Sequence, residues 1–334
     1  MTEHELDDLL SAPRAETTAA LDACPGDIII LGAGGKMGPT LARMAARART
    51  DSRRVIAVSR WSSAAAERAL NDAGVETIRC DLLDSHAVAQ LPDAANVIFM
   101  ASQKFGTTEA PAMTWAINTI VPAHCADRYR ESRIVAFSTG NVYPLTPIEL
   151  GGSREDDTRA PIGEYAASCL GRERVFEFYA MHQHARVAIV RLNYAIDLRY
   201  GVLVDIANKV YRGEPVSVEM GSVNVIWQGD ASRIALECLR LASSPAFVVN
   251  VTGADILSVR EIAEWFGERF GKRARFVGTE SADALLSNTS RMRETFAAPE
   301  VSLDQMREWV AQWIEEGGSL LGKVTKFEAR DGRF

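Results

Sequence analysis

The feature that most constrains this chain is a rhythm of short, continuously apolar runs separated by helical stretches. Asp27–Leu31 reads Asp-Ile-Ile-Ile-Leu and runs straight into a cluster of glycines. Val55–Val58, Val75–Cys80, Asn96–Met100, Arg133–Phe137 and Val187–Val190 repeat the pattern, with helical stretches between them, notably 113–130 and 164–184. A strand covered on both faces is apolar throughout, whereas a half-exposed strand alternates. Such strands alternating with helices predict an α/β fold: a Rossmann-like, doubly wound parallel sheet with helices on both sides. Ligands of such sheets bind beyond the carboxyl ends of the strands, so the loops after each strand are where function is expected.

After Leu192 the pattern loosens. Helices are predicted near 202–212, 230–241, 258–270 and 302–316, with a strand at 247–251. Ser258 is the expected N-cap of the third of these, with Glu261 completing a capping box, and Ser302 the cap of the last. Residues 1–26 form an N-terminal arm in which Leu6, Leu9 and Leu10 suit a short amphipathic helix, either lying on the surface or latching onto a partner subunit.

Composition narrows the function. The 334 residues carry 37 Lys and Arg against 44 Asp and Glu, a net charge of -7. That field has the wrong sign for nucleic acid or an anionic membrane surface. No apolar run approaches the roughly 20 residues that span a bilayer, and the acidic N-terminus does not read as a signal peptide. Five cysteines without a C-x-x-C pair imply reduced thiols in the cytoplasm, not disulfides or zinc. The histidines show no metal-binding spacing, so no metal site is expected.

The first strand ends in Gly32-Ala33-Gly34-Gly35-Lys36-Met37-Gly38, in which Gly32, Gly35 and Gly38 are spaced G-x-x-G-x-x-G. A tight strand-to-helix turn lets backbone N–H groups approach a pyrophosphate at a helix N-terminus. Gly32, Gly35, Lys36, Met37 and Gly38 are therefore candidate cofactor-binding residues. The second strand ends in Ser59-Arg60, where an acid would bind ribose hydroxyls. Arg60 instead suits a 2′-phosphate, so NADP is favoured over NAD. Asp81 and Leu82 end the third strand, where a carboxylate suits an adenine amine. Ala101 and Ser102 end the fourth and leave room for the cofactor.

Further on come Ser138-Thr139-Gly140-Asn141-Val142-Tyr143, Tyr165-Ala166-Ala167-Ser168-Cys169-Leu170-Gly171-Arg172-Glu173 and Arg191-Leu192-Asn193. With the glycine turn, Asp81 and Asn118 in the fourth crossover, these resemble the extended short-chain dehydrogenase/reductase family, also called the NAD-dependent epimerase/dehydratase family, over about 27–315. The resemblance implies hydride transfer between a substrate carbinol or carbonyl carbon and a nicotinamide. Tyr165 matches the family's acid/base, Thr139 the hydroxyl that orients the substrate oxygen, and Asn118, Tyr165 and Asn193 join the cofactor-binding set. It divides the chain into the arm, a dinucleotide-binding domain (27–193 and 222–251), a smaller discontinuous substrate-binding lobe (194–221 and 252–320) and a C-terminal tail (321–334). It also implies a homodimer through the helices at 113–130 and 164–184.

The departure is Cys169, which stands where the family carries a lysine that binds the nicotinamide ribose and lowers the tyrosine pKa. A free tyrosine has a pKa of about 10, so only roughly one in a thousand is phenolate at pH 7. Without a nearby cation base catalysis should slow, while reduction, which needs the neutral phenol, is less affected. Three readings stay open: a slow enzyme or reductase; a substitute cation from Arg172, Lys104 or the substrate; or a silent dinucleotide-binding sensor or scaffold. A nucleophilic role for Cys169 is disfavoured, because a mid-helix thiol lacks the base or helix N-terminus that would depress its pKa.

On the substrate side, family members that use nucleotide-diphosphate sugars carry an arginine where this chain has Val223. An apolar residue cannot pair with a diphosphate. A free sugar, lactone or sugar acid fits better, with Gln103, Lys104, Thr139, Tyr143, Asn193 and Trp227 as candidate lining residues. The expectation is an NAD(P)-dependent oxidoreductase or epimerase acting on a sugar-like carbinol or carbonyl.

Overall fold

The computed structural model describes residues 1–104, 106–323 and 325–333. Seven strands form one parallel sheet: β1 (Ile28–Leu31), β2 (Val55–Ser59), β3 (Glu76–Arg79), β4 (Asn96–Phe99), β5 (Arg133–Thr139), β6 (Arg186–Leu192) and β7 (Phe247–Val251). Their order is β7-β6-β5-β4-β1-β2-β3, and every pairing is parallel. The order reverses at β1, between β4 and β2, which places the switch point and its crevice beyond Leu31. β1 and β4 are buried along their whole length, whereas the edge strand β3 is part-exposed. That difference is why β1 reads as an unbroken apolar run and β3 does not.

The helices are α1 (Glu3–Leu10), α2 (Ala15–Asp22), α3 (Gly38–Ala48), α4 (Ala64–Asp72), α5 (Ser85–Ala89), α6 (Pro111–Trp115, continuing through Ala116–Ile120 and Val121–Arg128), α7 (Gly163–Gln183), α8 (Val202–Arg212), α9 (Gln228–Glu237), α10 (Val259–Phe270), α11 (Ser290–Thr295) and α12 (Leu303–Glu315). Ser302 and Gln305 form a reciprocal capping box on α12. On α10 Ser258 accepts the Glu261 N–H, but only that half of the expected box is made. Among the described residues no helix is long and apolar enough to cross a membrane.

Two apolar cores flank the sheet, and a third fills the smaller lobe from α8, α10 and α12. The N-terminal arm belongs to the third. Leu6 and Leu10 are fully buried there beside Trp227 and Val310, and Arg43 of α3 pairs with Asp7 and Asp8. Arg199 also pairs with Asp7. The arm thus spends its leucines on its own chain. Val223 and Val225 join that lobe's core, because Ser222–Val223 pairs with Leu257–Ser258 rather than with the main sheet.

Candidate functional site

The glycine turn lies at the switch point. Gly32 leaves β1 with φ +89°, and a Cβ there would sit 2.5 Å from the Ala101 nitrogen, so the chain passes from β1 against the loop after β4 only without a side chain. A Cβ on Gly38 would overlap the Ala33 carbonyl. Gly35 is different: a Cβ there would meet only the Gly32 carbonyl, at 3.5 Å, so nothing in the protein itself demands glycine. Space over that position is what an approaching phosphate needs. No side chain caps α3, which leaves N–H groups of its first turn open to an anion. The turn therefore fits a dinucleotide's pyrophosphate.

Around it, Ser59 lies against Gly34 and Arg60 is exposed, with no ion pair among the described residues. Asp81 is exposed and accepts the Leu83 N–H, and Leu82 is buried. Met37 packs part-buried against the sheet core. The Lys36 side chain leaves the turn for the smaller lobe. It lies 4.0 Å from the Tyr200 ring centre and donates to the Ala195 carbonyl at 3.3 Å. Burial pushes its ammonium down to about 7, with Asp197 opposing.

α7 carries the candidate catalytic tyrosine. Tyr165, Cys169 and Arg172 follow at i, i+4 and i+7 and share one helix face, and all three are buried. Tyr165 is hydrogen-bonded with the side chains of Thr139 and Cys169. Asn141 donates to Thr139 Oγ1 from its backbone and from Nδ2, at 3.2 and 2.9 Å, which leaves the threonine O–H to point at the phenol. Burial, then the neighbouring Cys169, hold the phenol far above its ordinary pKa, and Arg172 opposes them. Burial likewise raises the Cys169 thiol.

Arg172 is the cation on that face. Its Nη1 donates to the Phe137 carbonyl at 2.9 Å, and Nη2 to Ser102 Oγ at 2.7 Å and Asn118 Oδ1 at 2.5 Å. Its Nε is buried with no partner among the described residues. Asn118 also receives the Gln103 N–H and donates to the Gln103 carbonyl and Ser168 Oγ. It sits in the π-turn Ala116–Ile120, where Val121 N bonds to the Ala116 carbonyl. Pro122 lacks an N–H for the Asn118 carbonyl and would crowd it in a regular helix, which accounts for the widened turn.

A buried network supports this face from behind. Arg191 of β6 grips Glu173 through Nε and Nη2, at 2.9 and 2.8 Å, and Ser138 Oγ donates to the same carboxylate. Tyr143 lines the cleft with its ring, but its hydroxyl is held between Arg191 and Asn250. Asn193 is buried, with its amide donating to Asn224 and the Leu285 carbonyl. Trp227 is packed edge-on against Trp309 in the lobe core, away from the cleft. Gln103 meets Asn118 through its backbone alone in the hydrogen bonds above.

The sequence offered no signal for the element that covers the cleft. Residues 325–333 run across it as a strap. Thr325 donates from N and Oγ1 to Asp205 at 2.7 and 2.6 Å, and Phe327 is buried in the lobe core. Glu328 pairs with Lys209, and Arg330 with Asp283. Gly332 lies against the backbone of Gly163, two residues before Tyr165. Lys104, Tyr143, Tyr194, Thr325, Lys326 and Arg330 are among the residues around the remaining cavity of about 30 Å³. The cavity has room for about one water.

A doubly wound parallel sheet with an uncapped glycine turn at its switch point defines a Rossmann-type protein of the dinucleotide-binding kind. The model of the NAD-dependent epimerase/dehydratase family matches residues 28–224, and the chain belongs to that family. Among solved structures it is similar to the UDP-glucose 4-epimerase of Thermotoga maritima bound to UDP-glucose, with 17% identity over 87% of this chain and 99% of that one and a TM-score of 0.71. The UDP-Glc/GlcNAc 4-epimerase of Campylobacter jejuni shares 20% identity over 87% and 100%, with a TM-score of 0.72. The dTDP-glucose 4,6-dehydratase of Bacillus anthracis in complex with NAD shares 15% identity over 87% and 97%, with a TM-score of 0.73. At these identities the likeness is one of fold. No curated protein matches the chain in sequence.

Proposed function

We propose that the protein is an NAD(P)-dependent oxidoreductase or epimerase acting on a sugar-like carbinol or carbonyl, with Tyr165 as its acid/base. The observation that carries this reading is the buried phenol of Tyr165, bonded to Thr139 at the carboxyl end of β5 and on one helix face with Arg172. A bound nicotinamide would supply the hydride chemistry. The glycine turn would hold its pyrophosphate, and the unpartnered Nε of Arg172 is a donor suited to a ribose hydroxyl. Exposed Arg60 favours NADP.

Tyr165 then works chiefly as an acid. A phenol held far above its ordinary pKa stays protonated at neutral pH, so it donates to a carbonyl oxygen as reduction proceeds. Thr139 orients that oxygen. Arg172 supplies the positive field that an ammonium at position 169 would have given, and it acts from one helical turn further along. The reductive direction is therefore the favoured one.

Calorimetric titration with NADP and NAD, followed by turnover assays on sugars, lactones and sugar acids, tests the reading. Both cofactors should bind, NADP more tightly. Tyr165→Phe should lower turnover by about 10²–10⁴-fold. Cofactor binding without turnover of any substrate by the wild type would identify a silent dinucleotide sensor instead.

A further inference from the structure

We propose that residues 325–333 are an autoinhibitory strap, which fills the space the substrate needs, so that strap and substrate compete for the cleft. The inference rests on the reading of Tyr165 as the acid/base and adds a regulation of that same site. It starts from where the strap lies. Its end meets α7 backbone to backbone. A Cβ on Gly332 would sit 2.1 Å from the Ile162 carbonyl oxygen, and one on Gly163 would sit 2.5 Å from the Gly332 carbonyl oxygen. Both glycines have positive φ, +71° and +84°, and the two chains come this close only because neither carries a side chain there. Gly163 opens the helix that presents Tyr165 two residues on. Asn141, which donates to Thr139 Oγ1, lines the cavity beneath the strap together with Ile162. The strap therefore shuts the cleft beside the proposed acid/base.

The space beneath decides what the strap does. A lid that shuts on its substrate encloses that substrate's volume. Pockets that take small ligands enclose roughly 300–1,000 Å³. The cavity here is about 30 Å³, and Lys326, Phe327, Ala329 and Arg330 of the strap form one wall of it. It has room for about one water. So seated, the strap excludes a sugar-sized molecule and does not enclose one.

Its attachments suit a segment that comes away. The strap contains neither helix nor strand. Among the described residues no backbone–backbone hydrogen bond ties 325–333 to the rest of the chain. Side chains hold it instead. Asp205 of α8 accepts the Thr325 N–H and O–H, and Lys104 donates to the Thr325 carbonyl at 3.0 Å. Glu328 pairs with Lys209, Arg330 pairs with Asp283, and Phe327 is the strap's anchor in the lobe core. Part-exposed ion pairs each contribute little, so the strap can open while the sheet and the lobe core stay folded. A substrate that binds only the open form has its apparent affinity reduced by the open fraction. Loosening the strap therefore lowers KM and leaves kcat in place.

The test uses the full chain and two substitutions that leave Tyr165, Thr139 and the glycine turn untouched. Gly332→Ala drives a methyl group into the Ile162 carbonyl and lifts the strap's end. Glu328→Gln removes the ion pair with Lys209. The probes are D-glucose, D-galactose, D-glucono-1,5-lactone and D-glucuronate, each with NADP or NADPH. On any that the wild type turns over, Gly332→Ala should lower KM by about three- to tenfold with kcat unchanged, and Glu328→Gln should act in the same direction. Turnover by a variant of a probe that the wild type leaves untouched would support the strap equally. Hydrogen exchange across 325–333 should be faster than across α8, and faster still in the variants. Melting temperatures report whether the variants fold, and Glu328→Gln decides alone if Gly332→Ala does not. A KM that fails to fall in the folded variant, or strap exchange as slow as that of α8, overturns the proposal and makes the strap a fixed wall. Where the wild type turns over a probe and Tyr165→Phe does not, such results sink the strap alone. No turnover by any of these proteins would sink the reading of the site, and the inference with it.

Discussion

At the residue scale the chemistry turns on how Tyr165 is charged. Desolvation of the phenol and a neutral thiol beside it keep the proton on, and the guanidinium of Arg172 only partly opposes them. Oxidation needs the phenolate, which is populated only above the phenol's pKa. The rate of carbinol oxidation should therefore keep rising with pH through the alkaline range, without a plateau by pH 10. Cys169→Lys would place an ammonium on the face of Tyr165, lower that pKa and shift the rising limb to lower pH. Stopped-flow or steady-state pH profiles of the two proteins check this. A limb that does not move would mean that position 169 has no electrostatic hold on the phenol. Arg172 was legible as a nearby cation, but its three acceptors and its bare Nε depend on Ser102, Asn118 and Phe137, which lie far off in the chain.

At the scale of elements, α7 is fixed to the sheet by one buried ion pair. Arg191 of β6 and Glu173 of α7 are almost wholly buried, and Tyr143, Ser138 and Arg159 complete the network. Removing one partner leaves an uncompensated charge in a low-dielectric interior, which costs about 3–5 kcal/mol. Glu173→Ala should therefore lower unfolding free energy in urea by about that amount. It should also impair turnover more than cofactor binding, because α7 carries Tyr165 whereas the glycine turn belongs to β1 and α3. The strands and main helices were legible because their periodicity is local. The π-turn in α6 was not read from the sequence, although Pro122 accounts for it.

At the scale of the whole molecule, the outer faces of α6 and α7 are unusually apolar. Met113 and Ile120 on α6 and Phe178 and Met181 on α7 are each about half exposed or more, at 48%, 48%, 51% and 62%. The two helices pack side by side, and their exposed apolar side chains offer a surface suited to a partner copy. The expected homodimer would bury it. Sedimentation velocity should show a dimer for the wild type and a monomer for the double variant Phe178→Glu and Met181→Glu. A monomeric wild type would refute this pairing.

The sequence by itself determined the parallel sheet, the glycine turn at its switch point and the place of Tyr165, Thr139 and Cys169. The sheet and the turn follow from periodicity and turn chemistry, which act between near neighbours along the chain, and the three residues from the family resemblance. Only the tertiary structure decided what surrounds them. It buried the N-terminal leucines in the smaller lobe, drew Trp227 into that core and tied up the Tyr143 hydroxyl. It also set Arg172 among its acceptors and laid residues 325–333 over the cleft. The strap shows the reason most clearly: Phe327, Glu328 and Arg330 are an unremarkable stretch of tail until a lobe core, Lys209 and Asp283 are brought beside them. Burial and charge pairing depend on which distant residues share a space, and no local pattern records that.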